Sequence, residues 1–196
     1  MRKRSRRNCA IETLEARALL STVYVDAGAS GATHDGSSWA NAFLDLQPAL
    51  QAATSGTEIR VAEGTYKPGT LRTSAFLLKT GVSILGGYAG DGAADPNARD
   101  VTFYQTTLSG DIGTIGDNTD NVYHVVSGTG INSTAVLDGF TITRGNANAS
   151  SQTFGGGMYI SSGSPKIGHC TFTANSAADW GGGMYSVSSS APTISD

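Results

Sequence analysis

From residue 57 onward the apolar positions come in short alternating runs bounded by Gly, Ser, Asn and Pro, a period that predicts strands rather than helices. Thr57–Ala62 puts Ile59 and Val61 on one face, and Glu63–Pro68 reads as a turn and a second short strand. Ala75–Leu78 and Val82–Leu85 are strands separated by Lys79-Thr-Gly81, and Gly86-Gly87 ends the pair. Residues 88–121 are poorly patterned, with only Thr107–Ser109 offering a strand, and Val122–Val126 resumes the alternation. One stretch has helical spacing. In Asp45–Ala53, Leu46, Ala49, Leu50 and Ala53 share a face, Asp45 stands at the N-cap position, Pro48 falls in the first turn and Gly56 follows the end. Ahead of it, Thr22–Val25 reads as a strand and Asp26–Ser38 as a loop.

The second half repeats itself. Phe154-Gly-Gly-Gly-Met-Tyr159 recurs as Trp180-Gly-Gly-Gly-Met-Tyr185, a shift of 26 residues. Self-similarity at such a period predicts a solenoid, whose units bury their apolar faces only against their neighbours. Between the two blocks lie Ile160, Ile167, Thr171, Phe172 and Thr173 with small polar corner residues, so the repeat is all β. Each coil is expected to hold three short strands, stacked in parallel on the next coil at about 4.8 Å. Parity within His169–Thr173 puts Cys170 and Phe172 inside and His169, Thr171 and Thr173 outside. Leu137–Asn146 aligns with Ile167–Asn175 through a shift of 30 if one extra residue precedes Asn146. That alignment sets Phe140 over Cys170 and Ile142 over Phe172, with Asn146 and Asn175 as stacked corner amides. The glycine triplets read as tight corners and sites of close backbone approach. No strand–GxGxxG–helix unit surrounds them, so they are not a phosphate cradle. The lone helix, with Trp39 and Phe43, is expected to cover the open first coil.

Phe172-Thr-Ala-Asn175 and the Gly-Gly-Gly-Met blocks at 155–158 and 181–184 resemble the FxxN and GGA[I/L/V] repeats of the polymorphic outer membrane protein group. Met stands where the family has an aliphatic residue, and a third Gly where it has Ala. More broadly, about residues 57–196 are similar to bacterial right-handed parallel β-helix proteins of the pectate-lyase-like superfamily. The resemblance implies a secreted or surface-exposed β-solenoid.

The 196 residues carry a formal charge of −3, distributed unevenly. Arg2, Lys3, Arg4, Arg6, Arg7 and Arg17 are six of the 13 basic residues; from Ala18 onward there are seven basic against 14 acidic, a balance of −7. So acidic a body argues against nucleic-acid binding. The basic head ends in Leu14-Glu-Ala-Arg-Ala-Leu-Leu-Ser21, which resembles the LEPR-XLL leader of planctomycete exported and surface proteins, with Ala16 in place of Pro. No run of 18 apolar residues offers a membrane-spanning helix. The expected organisation is a leader over 1–21, a strand, loop and capping helix over 22–56, and parallel coils over 57–196 with a long insertion at about 88–121. Cys9 and Cys170 make no disulfide framework.

Three groups of residues could carry chemistry. Asp111, Asp117 and Asp120, with Asn118 and Asn121 nearby, offer hard oxygen ligands of the kind calcium takes, without the mid-loop Gly and closing Glu of an EF-hand. Asp138 and Arg144 are six residues apart in one coil. They are candidate catalytic groups because the enzymes that the chain resembles abstract a proton with an arginine beside Asp-bound calcium. His34, His124 and His169 have no metal-binding spacing, and parity sets His124 on the face of Val122 and Val126 unless a local irregularity turns it out.

Ala191–Asp196 is equivalent to Ser164–His169, so the sequence stops within a coil. This reads as a truncated or partial chain whose uncapped last coil is prone to self-association. Two function classes follow. The first is an exported, cell-surface or outer-membrane-associated β-helix that binds a carbohydrate or cell-surface protein and does no chemistry. The second is a carbohydrate-active enzyme, a polysaccharide lyase or hydrolase, working through Asp138, Arg144 and an acidic, calcium-holding loop.

Overall fold

The computed structural model describes residues 21–196, so the leader expected over 1–21 lies outside the described residues except for Ser21, which opens the first strand. Apart from the two-residue strands Asn146–Ala147 and Ser176–Ala177, which pair in a small sheet of their own, strand follows strand in a fixed rotation among three sheets. Thr57–Ala62 lies in the first sheet, Gly64–Tyr66 in the second and Phe76–Leu77 in the third. The cycle then repeats through Ser83–Tyr88, Thr106–Ser109 and Val126–Thr129, and through Val136–Asp138, Thr141–Thr143 and Met158–Ser161. It continues through Lys166–Gly168, Thr171–Thr173 and Met184–Val187, and Thr193–Ser195 returns to the first sheet. All pairings within the three sheets are parallel, which gives an all-β, solenoid-like arrangement with one short helix.

Register explains why the alternating sequence folds this way. Each sheet stacks one inward apolar side chain on the next: Val23, Ile59, Ile84, Leu137, Ile167 and Ile194 in the first sheet. Tyr66, Leu108, Ile142 and Phe172 follow one another in the second, and Phe76, Val126, Met158 and Met184 in the third. Ile59, Ile84, Leu108, Leu137, Ile142, Met158 and Ile160 are wholly buried in the common core. Each such side chain contributes about 1.5–3 kcal/mol over leaving it in water. A slip of one residue would turn a whole ladder outward, so the pattern fixes the pairing.

The helix Leu46–Ala52 buries Leu46, Ala49 and Leu50 and packs on the strands Ser21–Val25, Thr57–Ala62 and Phe76–Leu77. Asp45 occupies the N-cap position with extended backbone, yet its side chain makes no capping hydrogen bond. The other end is held by Lys79, whose Nζ donates to the carbonyls of Leu50 and Ala53. This satisfies last-turn carbonyls and sets a positive charge at the negative end of the helix.

Four sequence expectations change here. Trp39 does not plug the core; it is buried with Ala62 and Tyr88 in a separate cluster, with Tyr24 and Leu85 packed against it. Only Phe43 reaches the main core. The stretch 88–121 is not one insertion, because Thr106–Ser109 pairs on both sides and divides it into two loops. No extra residue precedes Asn146. The shift of 30 runs unbroken to Asn146↔Ser176, so Asn146 and Asn175 do not stack. Each amide instead bonds neighbouring backbone: Asn175 accepts from Gly145 N (2.9 Å) and donates to Ile142 O (2.8 Å), and Asn146 donates to Asn118 O (2.7 Å).

Candidate functional site

The outer face of the third sheet carries a strip of aromatic rings. With Met158 and Ile160 buried, parity turns Tyr159 outward, and the pairing Tyr159↔Tyr185 sets its counterpart beside it. The preceding corners bring Phe154 and Trp180 to the same surface. Those corners require glycine: Gly155 and Gly181 have φ of 67° and 70°, and a Cβ would lie 2.6 Å and 2.4 Å from the carbonyls of Met158 and Met184. Gly156 and Gly157 are as constrained, with a Cβ 2.0 Å from Ser176 O and 2.4 Å from Gly183 O.

The rings follow one another at contact distance. His124 stacks on Tyr159 with centroids 5.2 Å apart, Tyr159 on Tyr185 at 6.2 Å, Tyr185 on Phe154 at 4.8 Å, and Phe154 on Trp180 at 5.6 Å. Trp180 is 66% exposed, against 7% for Trp39. Beside the strip a groove is lined by His124, Ser151, Gln152, Thr153, Phe154 and Tyr159, with no charged side chain among them. His124 belongs to it because the backbone before Val126 is irregular: Val122, Val125 and Val126 are buried while Tyr123 and His124 are part-exposed. Its Nδ1 lies 2.9 Å from Gly155 O, and Nε2 meets the Gln152 carboxamide. Held on both sides, the ring is a fixed part of the surface. Such a strip offers apolar ring faces and rims, hydroxyls and an amide, and neither nucleophile nor carboxylate.

A second, polar group joins the first two sheets. Asp138 accepts from Arg99 Nη2 through Oδ1 and faces His169 Nδ1 at 2.9 Å through Oδ2. Arg99 Nε also donates to Gly86 O, which fixes the guanidinium. Burial opposes ionisation of Asp138, but the bonds and charges of Arg99 and His169 outweigh it and hold the carboxyl below its ordinary pKa. His169, half-exposed, lines a cleft with Val101, Thr102, Phe140, Cys170 and Thr171. Cys170 points inward and its thiol is pushed up to about 11 by burial, so it is no thiolate nucleophile near neutral pH.

The residues nominated from sequence separate. Arg144 lies 3.6 Å from Asp111 through Nε, whereas Asp138 is held by Arg99 and His169; no ion pair joins Arg144 to Asp138 among the described residues. Asp117 Oδ1 takes the backbone N–H and hydroxyl of Thr119, and Asp120 Oδ2 takes Thr114 N–H. No three His, Cys, Asp or Glu side chains gather as metal ligands among the described residues. Nor is any helix among them long and apolar enough to cross a membrane. Sequence reasoning missed the aromatic strip and Arg99. The strip was written in the repeat itself, since an aromatic and a Tyr recur at outward positions in both glycine blocks. Arg99 had no such signal, because 39 residues separate it from Asp138.

Residues 28–191 match a family described as a protein of unknown function, DUF1565. No curated protein and no solved structure matches the chain.

Proposed function

We propose that this chain, which belongs to the DUF1565 family, is an exported or cell-surface right-handed parallel β-helix, akin to the pectate-lyase-like superfamily, that binds neutral carbohydrate without chemically altering it. In this reading the three-sheet rotation is the β-helix, the helix Leu46–Ala52 caps its first coil, and the basic head resembling LEPR-XLL is the export leader. The carrying observation is the ring sequence His124, Tyr159, Tyr185, Phe154, Trp180 beside an uncharged groove. Sugars present apolar C–H faces ringed by hydroxyls. A site of aromatic surface with a few fixed polar groups complements them, while the absence of charge selects against acidic polymers.

The experiment is binding of the purified chain to a panel of neutral and acidic polysaccharides by affinity electrophoresis, together with iodide quenching of tryptophan. Because Trp39 is buried and Trp180 exposed, quenching reports on Trp180. Retardation by a neutral polymer with protection of Trp180, loss of both in Tyr185→Ala, and loss of retardation in Trp180→Ala support the reading. Retention unchanged in both variants refutes it.

The polysaccharide-lyase or hydrolase reading draws on one observation, the Asp138–His169 pair beside an open cleft, with Arg99 in place of Arg144. Release of unsaturated sugars from pectin or alginate, with or without calcium, and its loss in Asp138→Asn, would replace binding by catalysis.

A further inference from the structure

The loop between Gly110 and Val122 is pinched shut at its base: Val122 N donates to Gly110 O at 3.0 Å, and Gly110 N to Thr143 O at 2.8 Å. At this neck three buried side-chain oxygens lack any hydrogen-bond partner: Asp111 Oδ1, Asp120 Oδ1 and Asn121 Oδ1. Asp111 is 6% exposed and Asn121 2%. Buried polar atoms are almost always satisfied, and three orphans on one short segment call for a partner that protein groups do not supply. The two carboxylates also lean into the same loop. Asp111 Oδ2 accepts from Gly116 N at 3.1 Å and Asp120 Oδ2 from Thr114 N at 2.7 Å, so both sit against residues 113–116.

Charge points the same way. The loop holds Asp111, Asp117 and Asp120 and no Lys or Arg. Arg144 approaches only the other oxygen of Asp111, at 3.6 Å, and Arg72 Nε donates to the main-chain carbonyl of Asn121 at 2.7 Å, leaving the three orphans without a cation. All three are hard oxygens, two of them on carboxylates, in an irregular loop with neither His nor Cys. That chemistry disfavours zinc and copper, which prefer nitrogen and sulfur ligands, and suits calcium, which accepts variable geometry, better than magnesium, which demands near-ideal octahedral geometry.

We propose that Asp111 Oδ1, Asp120 Oδ1 and Asn121 Oδ1 ligate one Ca²⁺ at this neck, with water and loop carbonyls completing the shell. Asp117 is left out of the set, because its side chain is exposed and it has no buried, unpartnered oxygen at the neck. Asn121 stands three residues before His124, so the ion would brace the segment that leads into the aromatic strip. The site does not depend on the carbohydrate reading.

The test is calorimetric titration of the metal-stripped full chain with CaCl₂ and with MgCl₂, paired with thermal unfolding. One calcium per chain is expected, half-saturating at roughly 10⁻⁴–10⁻³ M as befits a site with two carboxylates, with Mg²⁺ at least about tenfold weaker. Asp111 is buried and holds Gly116, so the decisive variant is the less buried Asp120→Asn, which should weaken calcium about tenfold while keeping the metal-free unfolding temperature. Asp117→Asn should leave calcium binding unchanged. No heat or thermal shift up to about 10 mM calcium would overturn the proposal and assign the orphans to water. Equal affinity in Asp120→Asn and the unaltered chain, or equal weakening by Asp117→Asn, would overturn it as well.

Discussion

Asn175 ties one coil to the one before, and its removal has a calculable cost. Its carboxamide accepts from Gly145 N, at the bend after the strand Thr141–Thr143, and donates to the carbonyl of Ile142 within that strand. Asn175→Ala leaves both without that partner. A net hydrogen bond is worth about 1 kcal/mol, and because the position is only part-buried water recovers some of the loss, so the sum is about 2 kcal/mol. For a chain of this size that lowers the thermal midpoint by about 4–8 °C. Asn175→Asp separates the two bonds. The ionised carboxylate can still accept from Gly145 N but sets a negative charge against Ile142 O, whereas the protonated acid can serve both. Its folded-state pKa is therefore raised, so the deficit against the unaltered chain should shrink as pH falls through that raised value and be smallest once pH is below the unfolded value of about 3.9. Thr173→Ala, an exposed position at the end of the preceding strand, is the control and should stay within about 0.5 kcal/mol. Urea unfolding of the four chains, followed by circular dichroism at two pH values, measures all of this. An Asn175→Ala midpoint matching the Thr173→Ala control would refute the reasoning.

Gly156→Ala places a methyl 2.0 Å from Ser176 O, a backbone atom that cannot step aside, so a loss of about 1–3 kcal/mol or more should appear in the same urea assay. Asp138 is held below its ordinary pKa, so its stabilisation is complete above the unfolded value of about 3.9 and lost as pH falls through the lower folded value. Asp138→Asn should accordingly flatten the acid limb of the stability profile. Cys170, its thiol raised to about 11 by burial, should resist iodoacetamide at pH 8 and react on unfolding, as peptide mapping that separates it from Cys9 can read.

Much of the architecture was legible because a parallel coil writes its register into the sequence. Ile142 and Phe172 repeat at the interval at which they stack, as do Met158 and Met184. What the pattern could not carry is what lies between rungs. Asn146 and Asn175 look alike in sequence, yet the register assigns them different positions and different backbone partners. Asp138 and Arg144 are close along the chain, but strand parity and the turn at Gly145 give them separate partners. Asp138 meets Arg99 from a distant loop instead. Trp39 has the composition of a core residue and finds a second apolar cluster, a choice that amphipathic spacing does not encode. The Asp and Asn content of the acidic loop is plain in the sequence, but which of its oxygens are buried without partners depends on how its neck closes.

The account rests on the two glycine–methionine–tyrosine blocks being parallel neighbours in register. Cysteine pairs decide this directly, because Ser161 and Val187 are partners whose Cα atoms lie at the strand spacing of about 4.8 Å, inside the range a disulfide spans. Ser161 and Tyr185 are offset by two residues and so roughly 8 Å apart, beyond that range, but would be direct partners if the strands ran antiparallel. The measurement is oxidative cross-linking of folded Ser161→Cys/Val187→Cys and Ser161→Cys/Tyr185→Cys chains, mapped by peptide mass. Cross-linking of the first pair and not the second is the predicted result, and cross-linking of the second pair alone would contradict the fold and the surface built on it.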